Sequence, residues 1–345
     1  MTPVAISWLD PQPKSEVEFA QDLLPDGFEI SASADDSPSE RARLLAAADA
    51  ILTRRVPVDQ QVLAAAPRAR LVQKYGGRED GLDLDAADRA GVAFALMPLR
   101  GCIAVAELAM TLVLALSKQL VVAHGATVAG GYRDLGLDPA RTSERVIAFQ
   151  WMKLPDLFEV FGKNLGIVGY GEIGTEVSRR ARAFGMKVLY TKRDRLPAAL
   201  EKQLGVSWRE LDDLLAEADV VLLTLPHTPE SERIIGAREL RLMRPEAYLV
   251  NTARGGLVDE DALVAALRER RIAGAALDVF VDEPVPYDHP LLSLDNVILT
   301  PHIGGGTGGA RVNQMSDVLD NIVRFFRDGE ASHLLRTQAV GGDRS

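Results

Sequence analysis

The sequence predicts an α/β protein built from two parallel β-sheets, each covered by helices on both faces. Short apolar runs that suit buried strands alternate with amphipathic helical patterns through almost the whole chain. The runs are apolar on both faces, which is typical of parallel strands packed between two layers of helices. A length of 345 residues is enough for two domains. We therefore expect two doubly wound units with a cleft between them.

The first third of the chain holds one set of these elements. Its strand-like segments read VAISW, AILT, LVQKYG and VAFALM, and helical patterns such as SERARLLAAADA and DQQVLAAAP lie between them. The apolar segment VAELAMTLVLALSKQLVVA comes next and is interrupted by Glu107, Ser117, Lys118 and Gln119. These polar residues favour a buried helix over a membrane span. We expect one long helix around Glu107 to Val122 that crosses from the first unit to the second.

The second set of elements fills the middle of the chain. The strand-like segments are LGIVGYG, KVLYT, DVVLLTL, AYLVNT, AALDVF and NVILT, again separated by amphipathic helices. A last amphipathic helix, ARVNQMSDVLDNIVRFFRDG, follows them and is expected to return to the first unit. This order predicts a discontinuous substrate-binding domain, residues 1–103 and 304–345, interrupted by a dinucleotide-binding domain, residues 104–303.

Composition narrows the class of protein and of partner. The formal net charge is −10 with mixed signs, which argues against nucleic acid or an anionic membrane as the main partner. The N-terminus lacks the basic and apolar regions of a signal peptide, so we expect a soluble cytoplasmic protein. Cys102 is the only cysteine, which excludes an intrachain disulfide and a cysteine metal cluster. No pair of histidines or carboxylates shows metal-ligand spacing, and we predict no metal.

A glycine-rich turn carries the first functional signal. Gly169, Gly171 and Gly174 have the G-x-G-x-x-G spacing between an apolar strand and an amphipathic helix. The first glycine allows a tight turn, the second lets the backbone approach a pyrophosphate, and the third lets helix and strand pack closely. This context predicts that the unit binds a dinucleotide, and we expect both doubly wound domains to be of the Rossmann/flavodoxin-like class.

The next strand ends in an unexpected pair of cations. A carboxylate usually follows this strand and hydrogen-bonds the ribose hydroxyls of NAD, but here the chain has Lys192 and Arg193. Two cations offer charge-assisted donors to a 2′-phosphate, and each such bond is worth about 1.5–3 kcal/mol. The sequence thus favours NADP(H). The alternative is that both cations point to solvent and that NAD(H) is used through other contacts.

Three polar residues follow later strands of the same unit. Arg254 lies in VNTARGGLVDEDAL, Glu283 in LDVFVDEP and His302 in TPHIGGGT. The carboxyl ends of parallel strands share one edge of a sheet, so these side chains should converge. Reduction of a 2-keto acid needs a proton donor at the carbonyl oxygen, and His302 suits that role. Glu283 would orient its ring and stabilise the cation, while Arg254 would bind the substrate and polarise its carbonyl.

With these motifs the chain resembles the D-isomer-specific 2-hydroxyacid dehydrogenase family, which includes glyoxylate/hydroxypyruvate reductases. The resemblance covers nearly the whole chain, from LVQKYGGREDGLDL through VAELAM to the last helix. It implies a catalytic set of Arg254, Glu283 and His302, a homodimer built on the cofactor domain, and substrate binding by backbone N–H groups of Gly76 and Gly77 together with Arg254. It also implies that Asp278 contacts the nicotinamide carboxamide. The expected cofactor-binding residues are Gly169, Gly171, Glu172, Ile173, Gly174, Thr191, Lys192, Arg193, Pro226, Thr252, Asp278 and Gly304.

The chain departs from the family pattern in two loops. PLRGCIAVAE has Leu99 and Gly101 where glycine and asparagine are common, and YGGRED has Arg78 and Glu79. Arg78 and Arg100 either read a second anionic group of the substrate or are solvated loop charges. Two alternative functions stay open: a formate- or phosphite-type dehydrogenase on the same scaffold, and a corepressor-like protein that senses dinucleotides.

Overall fold

A computed structural model describes residues 2–33, 35, 37–77, 79, 81–145, 149–305 and 310–335. The chain divides into two compact units, Met1–Gly101 with Gly308–Ser345, and Cys102–Thr307. The helices and strands, in chain order, are β1 (Val4–Trp8), α1 (Lys14–Asp22), β2 (Phe28–Ala32), α2 (Pro38–Ala47), β3 (Ala50–Thr53), α3 (Gln60–Ala64), β4 (Leu71–Tyr75), α4 (Leu84–Ala90), β5 (Ala93–Met97), α5 (Arg100–Ser117), α6 (Leu120–Val128), β6 (Asn164–Val168), α7 (Glu172–Ala183), β7 (Lys187–Thr191), α8 (Ala198–Leu204), β8 (Val206–Trp208), α9 (Leu211–Glu217), β9 (Val220–Leu223), α10 (Ala237–Leu242), β10 (Tyr248–Asn251), α11 (Glu260–Arg268), β11 (Gly274–Leu277), β12 (Val297–Leu299), α12 (Ala310–Asp328) and β13 (Leu334–Leu335).

The first unit is a six-stranded sheet in the order β13-β5-β4-β3-β1-β2. Its first five strands run parallel in the flavodoxin-like order 2-1-3-4-5, and β13 pairs antiparallel with β5. Four of them are the runs identified in the sequence, whereas β2 is an edge strand whose residues alternate between buried and exposed. The predicted fold class is confirmed in this unit.

The last helix completes the core of the first unit. Met315, Val318 and Leu319 of α12 pack in one apolar cluster with residues of β1, β3 and β4. Asn321 is buried, and its Nδ2 donates to Oε1 of Gln73 in β4 at 2.7 Å. The expectation that this helix contacts the first hundred residues is confirmed.

The second unit is a seven-stranded parallel sheet in the order β12-β11-β10-β9-β6-β7-β8. The chain starts in the middle at β6, adds β7 and β8 on one side, and then adds β9 to β12 on the other. The strand order therefore reverses beside β6, and ligands of such sheets bind at the carboxyl ends of the strands next to that reversal. This is the Rossmann arrangement that the glycine spacing predicted.

The predicted long helix around Glu107 to Val122 is two helices instead of one. Gln119 has a left-handed φ of 46°, which ends α5 at Ser117 and starts α6 at Leu120. An L-residue in that region cannot continue a right-handed helix. By length and composition alone α5 could cross a membrane, but half of it is buried. Its residues pack in one cluster with β6, as in a core helix, and cellular localisation stays a prediction.

Candidate active site

The glycine turn lies at the carboxyl end of the central strand β6. Gly169 has a φ of +88°, and a Cβ built on it would lie 2.8 Å from the backbone of Leu225. No other residue fits there without a shift of the neighbouring chain. The Gly169 N–H donates to the carbonyl of Thr191, the last residue of β7, at 2.9 Å. The turn is thereby fixed against the end of the neighbouring strand.

The residues around this turn fit a dinucleotide. Gly171 precedes α7 and provides no side-chain cap, so the first turn of the helix, with Glu172 and Ile173, starts with backbone N–H groups of the kind that bind phosphates. A Cβ on Gly174 would lie 3.1 Å from the carbonyl oxygen of Gly169, which leaves room only for close packing. Among the described residues, the hydroxyl of Thr252 is one of three buried side-chain nitrogen or oxygen atoms without a hydrogen-bond partner. A bound polar ligand would supply that partner.

Lys192 and Arg193 follow β7 directly, beside the glycine turn. Val168, the last residue of β6, pairs with Thr191, the last residue of β7. Lys192 and Arg193 therefore leave β7 at the same level at which the glycine turn leaves β6. Arg193 is exposed, and its charge contributes to the lowered pKa of Glu230, which is set first by a hydrogen bond with Thr228. Glu230 lies in the segment after β9, on the other side of β6. The two cations therefore border the mouth of the crevice on the β7 side.

His302 and Glu283 form a hydrogen-bonded pair in the second unit. Nδ1 of His302 lies 2.6 Å from Oε2 of Glu283, and Oε1 of Glu283 accepts from the backbone N–H of Phe280 at 3.0 Å. The hydrogen bond from His302 is the largest cause of a lowered pKa of Glu283, and the charge of Arg254 adds to it. Glu283 is therefore an ionised acceptor, and Nδ1 of the ring is the donor. Nε2 is left as the ring nitrogen that can face a substrate.

Asp278 fixes the loop that carries His302. Its buried carboxylate accepts from the hydroxyl of Thr300 at 2.6 Å and from the N–H groups of Ile303 and Gly304, each at 2.9 Å. These bonds hold His302 at a left-handed φ of 54° between them. Asp278 was expected to contact the nicotinamide. It anchors the His302 loop in addition, and the contact with the cofactor stays a prediction.

Arg254 reaches the same region because a glycine follows it. A Cβ on Gly255 would lie 2.0 Å from the carbonyl carbon of Phe280, so the loop after β10 lies directly on the backbone after β11. That backbone leads to Glu283 three residues later. The structure therefore brings together all three predicted catalytic residues at the carboxyl edge of one sheet. Arg254 also donates from Nη1 to the carbonyl of Ala253 at 2.5 Å.

The remaining expected cofactor residue of this edge is Pro226. It follows β9, and its carbonyl accepts from the hydroxyl of Ser231 at 2.8 Å, which closes the loop after that strand. In the part of the chain that the structure describes, no group of three His, Cys, Asp or Glu side chains is arranged to hold a metal ion.

The expected substrate loop belongs to the first unit. Gly76 and Gly77 directly follow β4, and the carbonyl of Gly76 accepts from the N–H of Met97 at 3.0 Å. Arg78 lies outside the described residues. Arg100 begins α5 and pairs with Asp317 of α12, with Nη2 2.7 Å from Oδ1. This ion pair accounts for Arg100 without a substrate.

The sequence did not identify every residue that shapes the site. Thr300 and the anchoring role of Asp278 were missed, although Thr300 stands in the quoted TPHIG motif. Glu260, the first residue of α11, was also missed. It accepts from the N–H of Val281 at 2.8 Å and so fixes the segment before Glu283. The signal available for Glu260 was its place in the NTARGGLVDEDAL motif.

Comparison with known proteins identifies the family. Residues 111–304 match the model of the D-isomer specific 2-hydroxyacid dehydrogenase, NAD binding domain. The chain is 39% identical over 323 residues to a protein named glyoxylate reductase from Thermococcus onnurineus (strain NA1), covering 92% of each. It is 40% identical over 324 residues to one from Thermococcus kodakarensis, covering 92% of this chain and 93% of that one.

A solved structure gives the same result. The crystal structure of a glyoxylate reductase from Paecilomyes thermophila matches with a TM-score of 0.55 at 30% identity, covering 98% of this chain and 100% of that one. The family model spans more than half of the chain, and the relatives span nearly all of it. The chain therefore belongs to the D-isomer-specific 2-hydroxyacid dehydrogenase family, and it is an NAD(P)-dependent oxidoreductase.

Proposed function

We propose that this enzyme is an NADP(H)-dependent reductase that interconverts small 2-keto acids and D-2-hydroxy acids, with His302 as its acid and base. The observation that carries the proposal is the Glu283–His302 pair beside Arg254 at the carboxyl edge of the dinucleotide sheet. Relatives named glyoxylate reductase support glyoxylate as the first substrate to test.

The proposed chemistry follows from the orientation of the pair. Bound NADPH supplies the hydride. His302 holds one proton on Nδ1 against Glu283 and gives a second, from Nε2, to the carbonyl oxygen of the substrate. Arg254 binds the substrate carboxylate and polarises the carbonyl with its planar guanidinium. In the reverse direction, neutral Nε2 accepts the hydroxyl proton and the imidazolium is stabilised by the carboxylate.

The activity is tested by the loss of NADPH absorbance with glyoxylate, hydroxypyruvate and pyruvate. Oxidation of formate or phosphite is assayed in parallel with oxidised cofactor. Turnover of a 2-keto acid is expected, with the D-enantiomer as product where the product is chiral. Turnover of formate or phosphite alone would support the dehydrogenase alternative, and dinucleotide binding without turnover would support a sensing protein.

Cofactor preference is the first prediction. We expect kcat/KM with NADPH to exceed that with NADH by at least about tenfold, because Lys192 and Arg193 offer charged donors to the 2′-phosphate. Changing Lys192→Asp should narrow or invert this ratio, since a carboxylate repels the phosphate and accepts from ribose hydroxyls. Lys202→Asp, at an exposed position in α8, is the matched control. A wild-type enzyme that prefers NADH would contradict the assignment.

A homodimer is the second prediction. The helix α6 is strongly apolar, and none of its residues Leu120–Val128, all described by the structure, is buried. Val121 is 57% exposed and Val128 73%, and Phe149, in the segment between α6 and β6, is 86% exposed. A second copy would remove this surface from water. Light scattering during size-exclusion chromatography should give twice the chain mass of 37.4 kDa. Val128→Lys should weaken dimer formation. A monomeric wild-type enzyme would refute the predicted homodimer.

A further inference from the structure

The segment after β7 contains a third cation that the proposed cofactor site does not use. Residues 192–197, here named the 192–197 loop, connect β7 to α8 and carry Lys192, Arg193 and Arg195. Arg195 donates from Nε to Oε1 of Glu201 and from Nη2 to Oε2, each at 2.8 Å. Its guanidinium also lies 5.3 Å from the centre of the Trp208 ring. The charge of Arg195 is thus paired with a carboxylate, and its guanidinium lies against an indole.

Glu201 holds the loop at a second point. The hydroxyl of Tyr190, in β7, donates to Oε1 of Glu201 at 2.8 Å and accepts from the N–H of Leu196 at 2.9 Å. Glu201 is 8% exposed, and its pKa is lowered, first by the hydrogen bond from Arg195. One ionised carboxylate therefore holds Arg195 of the loop directly and also holds the Tyr190 hydroxyl, which in turn accepts from the N–H of Leu196.

The same network reaches the glycine turn. The ring of Tyr190 is fully buried, and its centre lies 4.7 Å from that of Tyr170, which lies between Gly169 and Gly171. The hydroxyl of Tyr170 lies 2.7 Å from that of Ser178 in α7. The position of the loop is therefore tied, through two packed aromatic rings, to the backbone that approaches the pyrophosphate.

We propose that Glu201 is a positioning residue for NADP(H) selectivity: it fixes the 192–197 loop so that Lys192 and Arg193 face the 2′-phosphate. This inference rests on the proposed NADP(H) preference. Three cations within four residues repel one another, and long basic side chains lose rotamer freedom when they bind. Neutralising Arg195 and fixing the backbone lower both costs before the ligand arrives. A fixed loop should matter for ligands that carry a 2′-phosphate and little for those that lack it.

Calorimetric titration of the cofactor-free enzyme tests this with two probes, 2′,5′-ADP and 5′-ADP, which differ in the 2′-phosphate. Wild-type enzyme should bind 2′,5′-ADP at least about tenfold more tightly than 5′-ADP. Glu201→Gln keeps the size of the side chain and an acceptor for Tyr190 but loses the charged pair. This variant should bind 2′,5′-ADP about tenfold more weakly than wild type, and its affinity for 5′-ADP should stay within about twofold of the wild-type value. In turnover, KM for NADPH should rise while kcat changes little.

Two further variants make the result decisive. Arg195→Ala, at an exposed position, should also weaken the binding of 2′,5′-ADP selectively. It serves as the test if Glu201→Gln does not fold. Glu217→Gln breaks a comparable pair, Arg209 Nε to Glu217 Oε1 at 2.8 Å, and should change neither affinity. If Glu201→Gln lowers the affinity for both probes equally, or binds 2′,5′-ADP more tightly than wild type, the proposal is overturned. Wild-type enzyme that does not favour 2′,5′-ADP would instead refute the NADP(H) preference itself, and the positioning role with it.

Discussion

Replacement of His302 by alanine is expected to lower kcat for keto acid reduction by about 10²–10⁴-fold, the usual contribution of a general acid. Nδ1 of the ring is paired with the ionised Glu283 at 2.6 Å, and Nε2 is the nitrogen that the proposed reaction directs to the substrate. The loss should fall on kcat more than on KM, because Arg254 and the cofactor still bind. Single-turnover measurement of hydride transfer at neutral pH checks the result. His333→Ala, at an exposed position in the first unit, is the control.

Replacement of Glu283 by glutamine tests how much the orientation of the His302 ring contributes, separately from the presence of the acid itself. Glu283→Gln keeps the shape, and the N–H of Phe280 requires the amide oxygen at the position of Oε1. The amide nitrogen would then face Nδ1 of His302, which could no longer donate there, and the ring would adopt the wrong tautomer. We expect kcat to fall by about 10²-fold or more. Near-normal hydride transfer in His302→Ala would show that another group is the acid.

Removal of the Asp278 carboxylate should harm both stability and catalysis. Three donors, from Thr300, Ile303 and Gly304, would lose their acceptor in Asp278→Ala. Each donor that stays buried without a partner costs about 1–3 kcal/mol, so the free energy of unfolding should fall by at least that much. The loop would no longer hold His302, and kcat should fall by about tenfold or more. Denaturant unfolding without cofactor and steady-state kinetics measure the two effects.

Two comparisons isolate the role of this carboxylate. Asp278→Asn retains one acceptor oxygen but places an amide nitrogen against one of the donors, and should lie between wild type and alanine. Asp282→Ala, at an exposed position in the same segment, should change little. If Asp278→Ala unfolds like wild type and only raises KM for the cofactor, the carboxylate serves the nicotinamide and not the loop.

The central strands were predictable from the sequence, and the edge strands were not. β1, β3, β4 and β5 are mostly buried and mainly apolar, although β4 includes the buried Gln73 and Lys74, and this apolar character predicts them as central strands. β2 alternates between buried and exposed residues, β8 has three residues and β13 two, so each carries too little apolar pattern. The break between α5 and α6 depends on one backbone angle at Gln119, which no apolar pattern encodes.

The site shows a similar division. The residues that end strands were predictable, because strand ends in a parallel sheet share one edge. The partners that hold them were not, because Asp278 and Glu201 act through hydrogen bonds whose geometry the chain order does not contain. Gly255 illustrates the limit: its motif was recognised, but the contact with Phe280 that requires a glycine depends on two strands meeting in space.

The return of α12 to the first unit has a consequence for the order in which the enzyme forms on the ribosome. The second unit is continuous from Cys102 to Thr307 and can complete its sheet while the C-terminal residues are still being synthesised. The first unit cannot, because Met315, Val318 and Leu319 cover apolar side chains of strands made more than two hundred residues earlier. Those strands must wait without this cover until α12 has left the ribosome. The early-made half of this enzyme is therefore the last to mature, and the one most in need of protection from aggregation during synthesis.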